Sequence, residues 1–243
     1  MADHISVCPV DNSPPNLESK YWARTFFSET LVESLFLKGG VKLQHSVDRV
    51  YVKVDPGYGL ESSASMFSIA SMFFCGHQAV LFDVDHFDAT TAIDYESPLL
   101  AHIQKIRATP LLHDATIVLV VDPGYGYIGS DIQCFVRRNF ERVLWANDIG
   151  RKARIGLTKQ TNVEMANITN SYLKARMLDI SLPLASSEQK RPILNKLHKS
   201  LCEAHFYTVG KELCFRSYGL AYTLMSCLKE GTQFEKAYYP SKQ

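Results

Sequence analysis

The hexapeptide Val-Asp-Pro-Gly-Tyr-Gly occurs twice in this chain, at 54–59 and at 121–126, each time closing an apolar run. The first run is Arg49-Val-Tyr-Val-Lys-Val-Asp55 and the second is Thr116-Ile-Val-Leu-Val-Val-Asp122. A β-branched run that ends in an acid and then a Pro-Gly turn predicts a strand that carries one carboxylate to the lip of a sheet. If the two strands pair in parallel, Asp55 and Asp122 come side by side. Paired carboxylates at strand ends suit a divalent metal, because hard oxygen ligands hold Mg²⁺ or Mn²⁺. The residues flanking the two copies do not match, so the hexapeptide is not the unit of a repeat architecture.

The remaining elements are read around these two strands. Residues 1–20 are polar and rich in Pro, Asn and Ser, and read as an N-terminal tail. Phe26, Phe27, Leu31, Val32, Leu35 and Phe36 fall at helical spacing within Tyr21 to Leu37, and Gly39-Gly40 stops that helix. We therefore divide the chain into a tail and lead-in helix, 1–44, and one domain, 45–243. After the first strand come Met66 to Phe74 and Gln78 to Phe87, separated by Cys75-Gly76-His77, which predicts a hairpin and an antiparallel meander. A helix over 94–108 leads into the second acid-tipped strand, nearly all apolar as a strand buried on both faces should be. Helices are expected over 131–145, 158–178, 186–205 and 218–230, with a short strand at 154–157 and a strand or ribbon at 206–217. Three meander strands followed by alternating α and β elements give an α/β fold of the ribonuclease-H-like class, a mixed sheet flanked by helices. In such a sheet the first strand lies beside the fourth, and the crossover from the meander through one helix into that fourth strand is right-handed.

Composition narrows the function classes. An apolar share of 46%, a charged share of 21% and a formal net charge of +1 describe an ordinary globular chain with no global pull toward a polyanion. Any nucleic-acid contact has to come from local charge, and Arg137, Arg138, Arg142, Arg151, Lys152 and Arg154 are the candidates. The six cysteines show neither a C-x-x-C pair nor zinc spacing, which favours a reducing compartment. No apolar run approaches the roughly 18 residues that span a bilayer, so a soluble, intracellular protein with no membrane partner is expected. The glycines of 124–129 lack both the Gly-Lys-Ser/Thr end of a P-loop and dinucleotide-binding spacing, so the chain is not expected to carry an ATP motor. Asp83, Asp85, His86 and Asp88 crowd one strand end and read as a solvated edge, with a cluster that holds or supports a metal as the alternative. No Ser/His/Asp arrangement is visible along the sequence.

Taken in order, these motifs resemble the C-terminal nuclease domain of the large terminase subunit of herpesvirus-type DNA-packaging motors. Tyr51-Val-Lys-Val-Asp55-Pro56 is similar to that family's first motif, a strand ending in Asp-Pro. Asp85-His86-Phe87 is similar to its Glu-His-Phe segment, and Val120-Val121-Asp122 with Gly129-Ser130-Asp131 to its Val-Glu-Gly run and downstream Ser-Gln-Asp. Leu157-Thr158-Lys159-Gln160-Thr161, opening a helix that ends Ser171-Tyr-Leu-Lys174, is similar to its Asn-Lys-Gln-Lys-Thr segment. The resemblance runs with gaps from about residue 26 to 240 and lies in collinearity more than in any one motif.

What the resemblance implies is metal-assisted phosphodiester hydrolysis. Two divalent ions, Mg²⁺ or Mn²⁺, about 3.5–4 Å apart would clamp attacking and leaving oxygens. Asp55 and Asp122 would be the metal ligands, and Lys159 would stabilise charge on the phosphate or protonate the leaving group. Arg138, Arg142, Arg151, Lys152 and Arg154 would track DNA. The implied partners are double-stranded DNA, the ATPase part of the terminase, other terminase subunits and the capsid portal, in the host nucleus. Two departures stand out. Asp122 replaces a Glu, and Arg216-Ser217-Tyr218-Gly219-Leu220-Ala221-Tyr222 has no acid where the family has its third ligand. The third ligand is then supplied by Asp131 or Glu212, displaced, or absent. Two rivals follow: a degenerate domain that binds DNA or packaging subunits without cutting, and another ribonuclease-H-like enzyme such as a resolvase or integrase.

Overall fold

The computed structural model describes residues 24–55, 66–88, 95–121, 127–145, 159–209, 212–216 and 219–238. A short strand β1 (Arg24–Thr25) precedes helix α1 (Glu29–Leu37). Ser28 caps α1, its Oγ accepting from the Leu31 amide at 3.4 Å. The helix is shorter than the periodicity predicts because the chain before Ser28 is taken up by β1. Gly39 and Gly40 have φ values of 73° and 87°, so both occupy the left-handed region that ends a helix cheaply only with glycine. A Cβ on Gly40 would stand 2.7 Å from the Leu182 Cα, so this turn has no room for a side chain.

Three strands follow, β2 (Arg49–Asp55), β3 (Met66–Cys75) and β4 (Gln78–Asp88), and they form the expected antiparallel meander. Gly76, at φ 61°, makes the hairpin between β3 and β4. Helix α2 (Glu96–Ala108) carries the chain to β5 (Thr116–Val121), which pairs with β2 in parallel. Helix α3 (Tyr127–Asn139) then leads to β6 (Val143–Trp145). Here the expected helix over 131–145 is corrected. The Phe140 amide closes on the Val136 carbonyl, Arg142 turns at φ 53°, and the apolar Val143 and Leu144 are drawn into parallel pairing with Ile117 and Val118. The strand anticipated at 154–157 lies outside the described residues.

The second half adds α4 (Lys159–Lys174), β7 (Leu178–Ile180), the single turn α5 (Leu182–Ala185) and α6 (Arg191–Cys202). The hairpin β8 (His205–Val209) and β9 (Glu212–Arg216) and the long helix α7 (Gly219–Tyr238) follow. Six strands make one mixed sheet in the order β6-β5-β2-β3-β4-β7, in which β3 alone runs against the others. The first strand of the meander therefore lies beside the fourth strand of this sheet, as a ribonuclease-H-like fold requires. A separate three-stranded sheet, β1-β8-β9, joins the start of the described chain to the last hairpin.

Each face of the large sheet has its own core. Val50, Val52 and Val54 of β2, with Ile69 and Phe73 of β3 and Ile117 and Leu119 of β5, pack against Leu99, Ile103 and Ile106 of α2 and Ile132 and Val136 of α3. Tyr51, Ala70, Met72 and Val118 face the other way, against Leu220, Leu224, Met225 and Leu228 of α7, with Val32 and Leu35 of α1 in the same cluster. The period-two alternation of β2 decides which residues go to which face. Helix α7 lies close to the sheet at Gly231, where a Cβ would stand 2.5 Å from Phe74 Cε2. Among the described residues no helix is long and apolar enough to cross a membrane.

Candidate metal site at the strand ends

The parallel register of β2 and β5 runs from Arg49 opposite Thr116 to Val54 opposite Val121. The next residue in each strand's sequence is an aspartate, Asp55 and Asp122. Asp55 is the last residue of β2 and is only 7% exposed. Asp122 lies outside the described residues, but the strand that delivers it is the direct neighbour of the strand that ends in Asp55.

Asp55 faces α7. It stands opposite Ser68 of β3, and Ser68 stands opposite His86 of β4, so these three residues form one row across the sheet. Ser68 Oγ meets the Thr223 hydroxyl of α7 at 2.6 Å, and both residues are fully buried. Two residues back along β2, Lys53 is fully buried with its Nζ 5.6 Å from the centre of the Tyr222 ring. The first turn of α7 holds no acid. The end of β2 thus offers one buried carboxylate, two hydroxyls and a buried ammonium, with a second carboxylate one residue past the end of β5.

The other sequence-derived candidates are dispersed. Asp131 is exposed on α3, whose Ile132 and Val136 pack on the α2 side of the sheet, whereas Asp55 is on the α7 side. Asp131 acts instead on Tyr95, whose hydroxyl pKa is raised first by burial and then by that carboxylate. Glu212 opens β9 opposite Val209 in the small sheet, and Lys159 opens α4. Arg138 is exposed in the last turn of α3. Arg142 sits where β5 and β6 begin: its carbonyl accepts from the Ile117 amide and its guanidinium pairs with Asp114 at 2.8 Å. That is the far end of β5 from Val121, about 16 Å away at the usual rise per residue. Arg151, Lys152 and Arg154 lie outside the described residues. The structure brings the Asp55 and Asp122 strands together and places Arg142 at the opposite edge of the sheet.

A second polar constellation joins Asp83 and Asp85, which the sequence marks, to partners that it does not mark. Asp83 and Asp85 of β4 lie on the α2 face, because they stand opposite Ser71 and Ile69 rather than in the Asp55 row. His102 of α2 lies between them and Ser71: Nδ1 is 2.6 Å from Asp85 Oδ2 and Nε2 is 2.9 Å from Ser71 Oγ. Lys105 Nζ donates to Asp83 Oδ2 at 2.7 Å, and Lys190 Nζ lies 3.1 Å from Asp83 Oδ1 and donates to Asp85 Oδ1. Asp83 is 1% exposed, so the expectation of a solvated strand end is corrected here.

The reason is the short edge strand. β7 pairs with β4 only as far as Leu81, and Ser181 Oγ and Lys190 Nζ then take the free carbonyls of Phe82 and Val84 at 2.9 and 3.0 Å. Burial pushes the Asp85 carboxyl pKa up, but the His102 hydrogen bond and charge, and Lys190 after them, bring it down to about 2. The ligand atoms of Asp83, Asp85 and His102 lie within 4.8 Å of one another, close enough for a metal. Two ammonium groups already neutralise the two carboxylates, however, and a divalent ion would have to displace both. The Ser-His-Asp order has the connectivity of a hydrolytic triad, yet Ser71 is fully buried within β3, where no substrate reaches it. We read the constellation as an ion-pair network that ties α2 and the start of α6 to β4.

Comparison with known proteins bears on the fold. No family model matches the sequence, and no curated protein sequence is matched by it. Among solved structures, the human cytomegalovirus terminase nuclease domain aligns over 89% of this chain and 96% of its own, with a TM-score of 0.53 and 13% identity. A manganese-soaked form of the same domain aligns over 72% of this chain and 86% of its own, with a TM-score of 0.51 and 17% identity. The fold is that of a terminase nuclease domain. A large terminase from a thermophilic bacteriophage agrees, with a TM-score of 0.51, 10% identity and 87% of this chain covered. This chain spans 45% of that phage protein. The terminase nuclease fold therefore holds here at identities too low to carry individual residues across.

Proposed function

We propose that this chain is a divalent-metal-dependent endonuclease domain of the terminase type, which cuts double-stranded DNA during viral genome packaging. The reading is carried by one observation: two strands whose sequences run directly into Asp55 and Asp122 are parallel neighbours in register. The donor set fits the ion. Hard carboxylate oxygens at adjacent strand ends, with Asp55 nearly sealed from water, suit Mg²⁺ or Mn²⁺. When bound, such an ion polarises a phosphoryl oxygen and makes a bound water more acidic. Asp55 and Asp122 hold it, and Lys159 at the start of α4 offers positive charge to the phosphate. Asp131 and Glu212 are weaker candidates for a further ligand, since one sits on the helix of the opposite face and the other in the small sheet.

By the same reading the partners are duplex DNA, the ATPase part of a terminase, its other subunits and the capsid portal, and the setting is a host nucleus. The basic residues that would track DNA are Arg138, exposed on α3, Arg142, whose exposed guanidinium pairs with Asp114 at the far end of β5, and Arg151, Lys152 and Arg154, which follow β6 in the sequence. The test is cleavage of plasmid DNA in Mn²⁺ and in Mg²⁺ by the full chain, compared with Asp55→Ala and Asp122→Ala. Wild-type cleavage that both substitutions abolish supports the proposal; equal cleavage by all three variants would sink it.

One observation favours a second reading, a domain that binds without cutting. The first turn of α7, which covers the Asp55 row, holds Tyr222 and is followed by Thr223 instead of any carboxylate. Duplex binding without cleavage in either metal would select this reading.

A further inference from the structure

A buried ammonium lies beside the candidate metal site. Lys53 is fully buried and comes two residues before Asp55 on the same face of β2, so their backbone positions are separated by about 6.6 Å. Helix α7 runs antiparallel to β2. Glu235 meets Arg49 and the Tyr51 hydroxyl, Cys227 Sγ lies 3.6 Å from the Tyr51 carbonyl, and Thr223 meets Ser68, which stands opposite Asp55. Tyr222 is therefore level with the end of the strand. A Lys53 side chain whose Nζ reaches the Tyr222 ring at 5.6 Å extends along the strand toward Asp55, not away from it. The ring face holds the cation there. A buried ammonium is sustained where negative charge faces it, and Asp55 lies on the side to which this one extends.

We propose that Lys53 is a resident counter-cation of the Asp55 site, and that its charge limits how tightly divalent ions bind there. The proposal rests on the reading of Asp55 as a metal ligand. Two carboxylates and one ammonium leave a net charge of −1, enough to attract one divalent ion and too little to hold two. An ion entering beside Asp55 has to work against the ammonium. At a separation of about 7 Å, even with water-like screening, that repulsion amounts to at least about a fivefold loss of affinity.

The experiment is a Mn²⁺ titration of the full chain, with free ion read from its electron paramagnetic resonance signal. It compares wild type, Lys53→Met, Lys53→Arg and the double variant Lys53→Met with Asp55→Asn. Lys53→Met should bind Mn²⁺ at least about fivefold more tightly than wild type, Lys53→Arg should match wild type, and Asp55→Asn should remove the gain. If Lys53→Met loses the folded circular dichroism spectrum, Lys53→Gln takes its place, since it removes the charge but keeps a polar group. Unchanged affinity in the uncharged variant, or an equal gain in Lys53→Arg, overturns the role of Lys53. If affinity is also lost on Asp55→Asn, the metal site itself still stands. Binding that ignores Asp55→Asn in the Lys53→Met background overturns the site.

Discussion

Replacing Asp85 by Asn removes one charge from the buried network and leaves its shape. The carboxyl has a folded-state pKa of about 2 against an ordinary 3.8, because the opposing pull of burial is outweighed by His102 and Lys190. A depressed carboxyl pKa means that the ionised form is favoured by folding. Its stabilisation is complete above the unfolded value and fades as pH falls through the folded one. The difference of nearly two units corresponds to about 2 kcal/mol at neutral pH. The Asp85 side chain is 19% exposed, so solvent screening removes little of this. Asn imitates the protonated acid. Asp85→Asn should therefore cost about 2 kcal/mol at pH 7, and the gap should shrink to roughly half by pH 3. Urea unfolding followed by circular dichroism at pH 7, 5 and 3 measures it. A gap under about 0.5 kcal/mol at pH 7, or one that stays constant down to pH 3, would refute the assignment of Asp85 as an ionised member of the network.

Two further outcomes test the packing of α7. Gly231→Ala should lower the melting temperature although alanine is the better helix former by about 1 kcal/mol, because the new methyl meets Phe74 at 2.5 Å and Tyr51 at 3.3 Å. An unchanged or higher melting temperature would show that α7 does not lie this close to β3. Cys227 is fully buried, and burial pushes its thiol pKa up to about 12 despite the nearby Lys53. Iodoacetamide at pH 8 should leave the Cys227 peptide unmodified in the native chain while labelling the exposed Cys75 and Cys134, with Cys227 reacting only in denaturant. Native labelling of Cys227 at the rate of Cys75 would contradict the buried position.

The two faces of the sheet were legible to different degrees. Strands β2 and β5 announce themselves through β-branched, apolar runs that lead directly into acid-Pro-Gly sequences, and β3 and β4 through apolar runs on either side of a glycine turn. The ribonuclease-H-like strand order then makes β2 and β5 neighbours, and the observed parallel register agrees. The strand at Val143 was hidden, since its three residues continue the apolar spacing of α3 and only the left-handed turn at Arg142 separates them. Asp83 and Asp85 stand out as a cluster in the sequence, but Ser71, His102, Lys105 and Lys190 were hidden as their partners because they come from three other parts of the chain. Reading β4 alone, two aspartates near a strand end look solvated. They are buried because β7 is short and lysines from α2 and the start of α6 close over them.

Local sequence determined the extended runs of β2 to β5 and that an aspartate follows directly on both valine-rich runs of β2 and β5, since backbone sterics and side-chain alternation act over a few neighbouring residues. Tertiary structure alone decided which charges share a face. Ser68 and Lys53 meet the start of α7 on the face that Asp55 shares, Asp83 and Asp85 meet α2, and Arg142 is carried to the far end of β5. That sorting depends on strand order and helix placement, which bring together charges more than a hundred residues apart along the chain. No pattern within one segment encodes those distances.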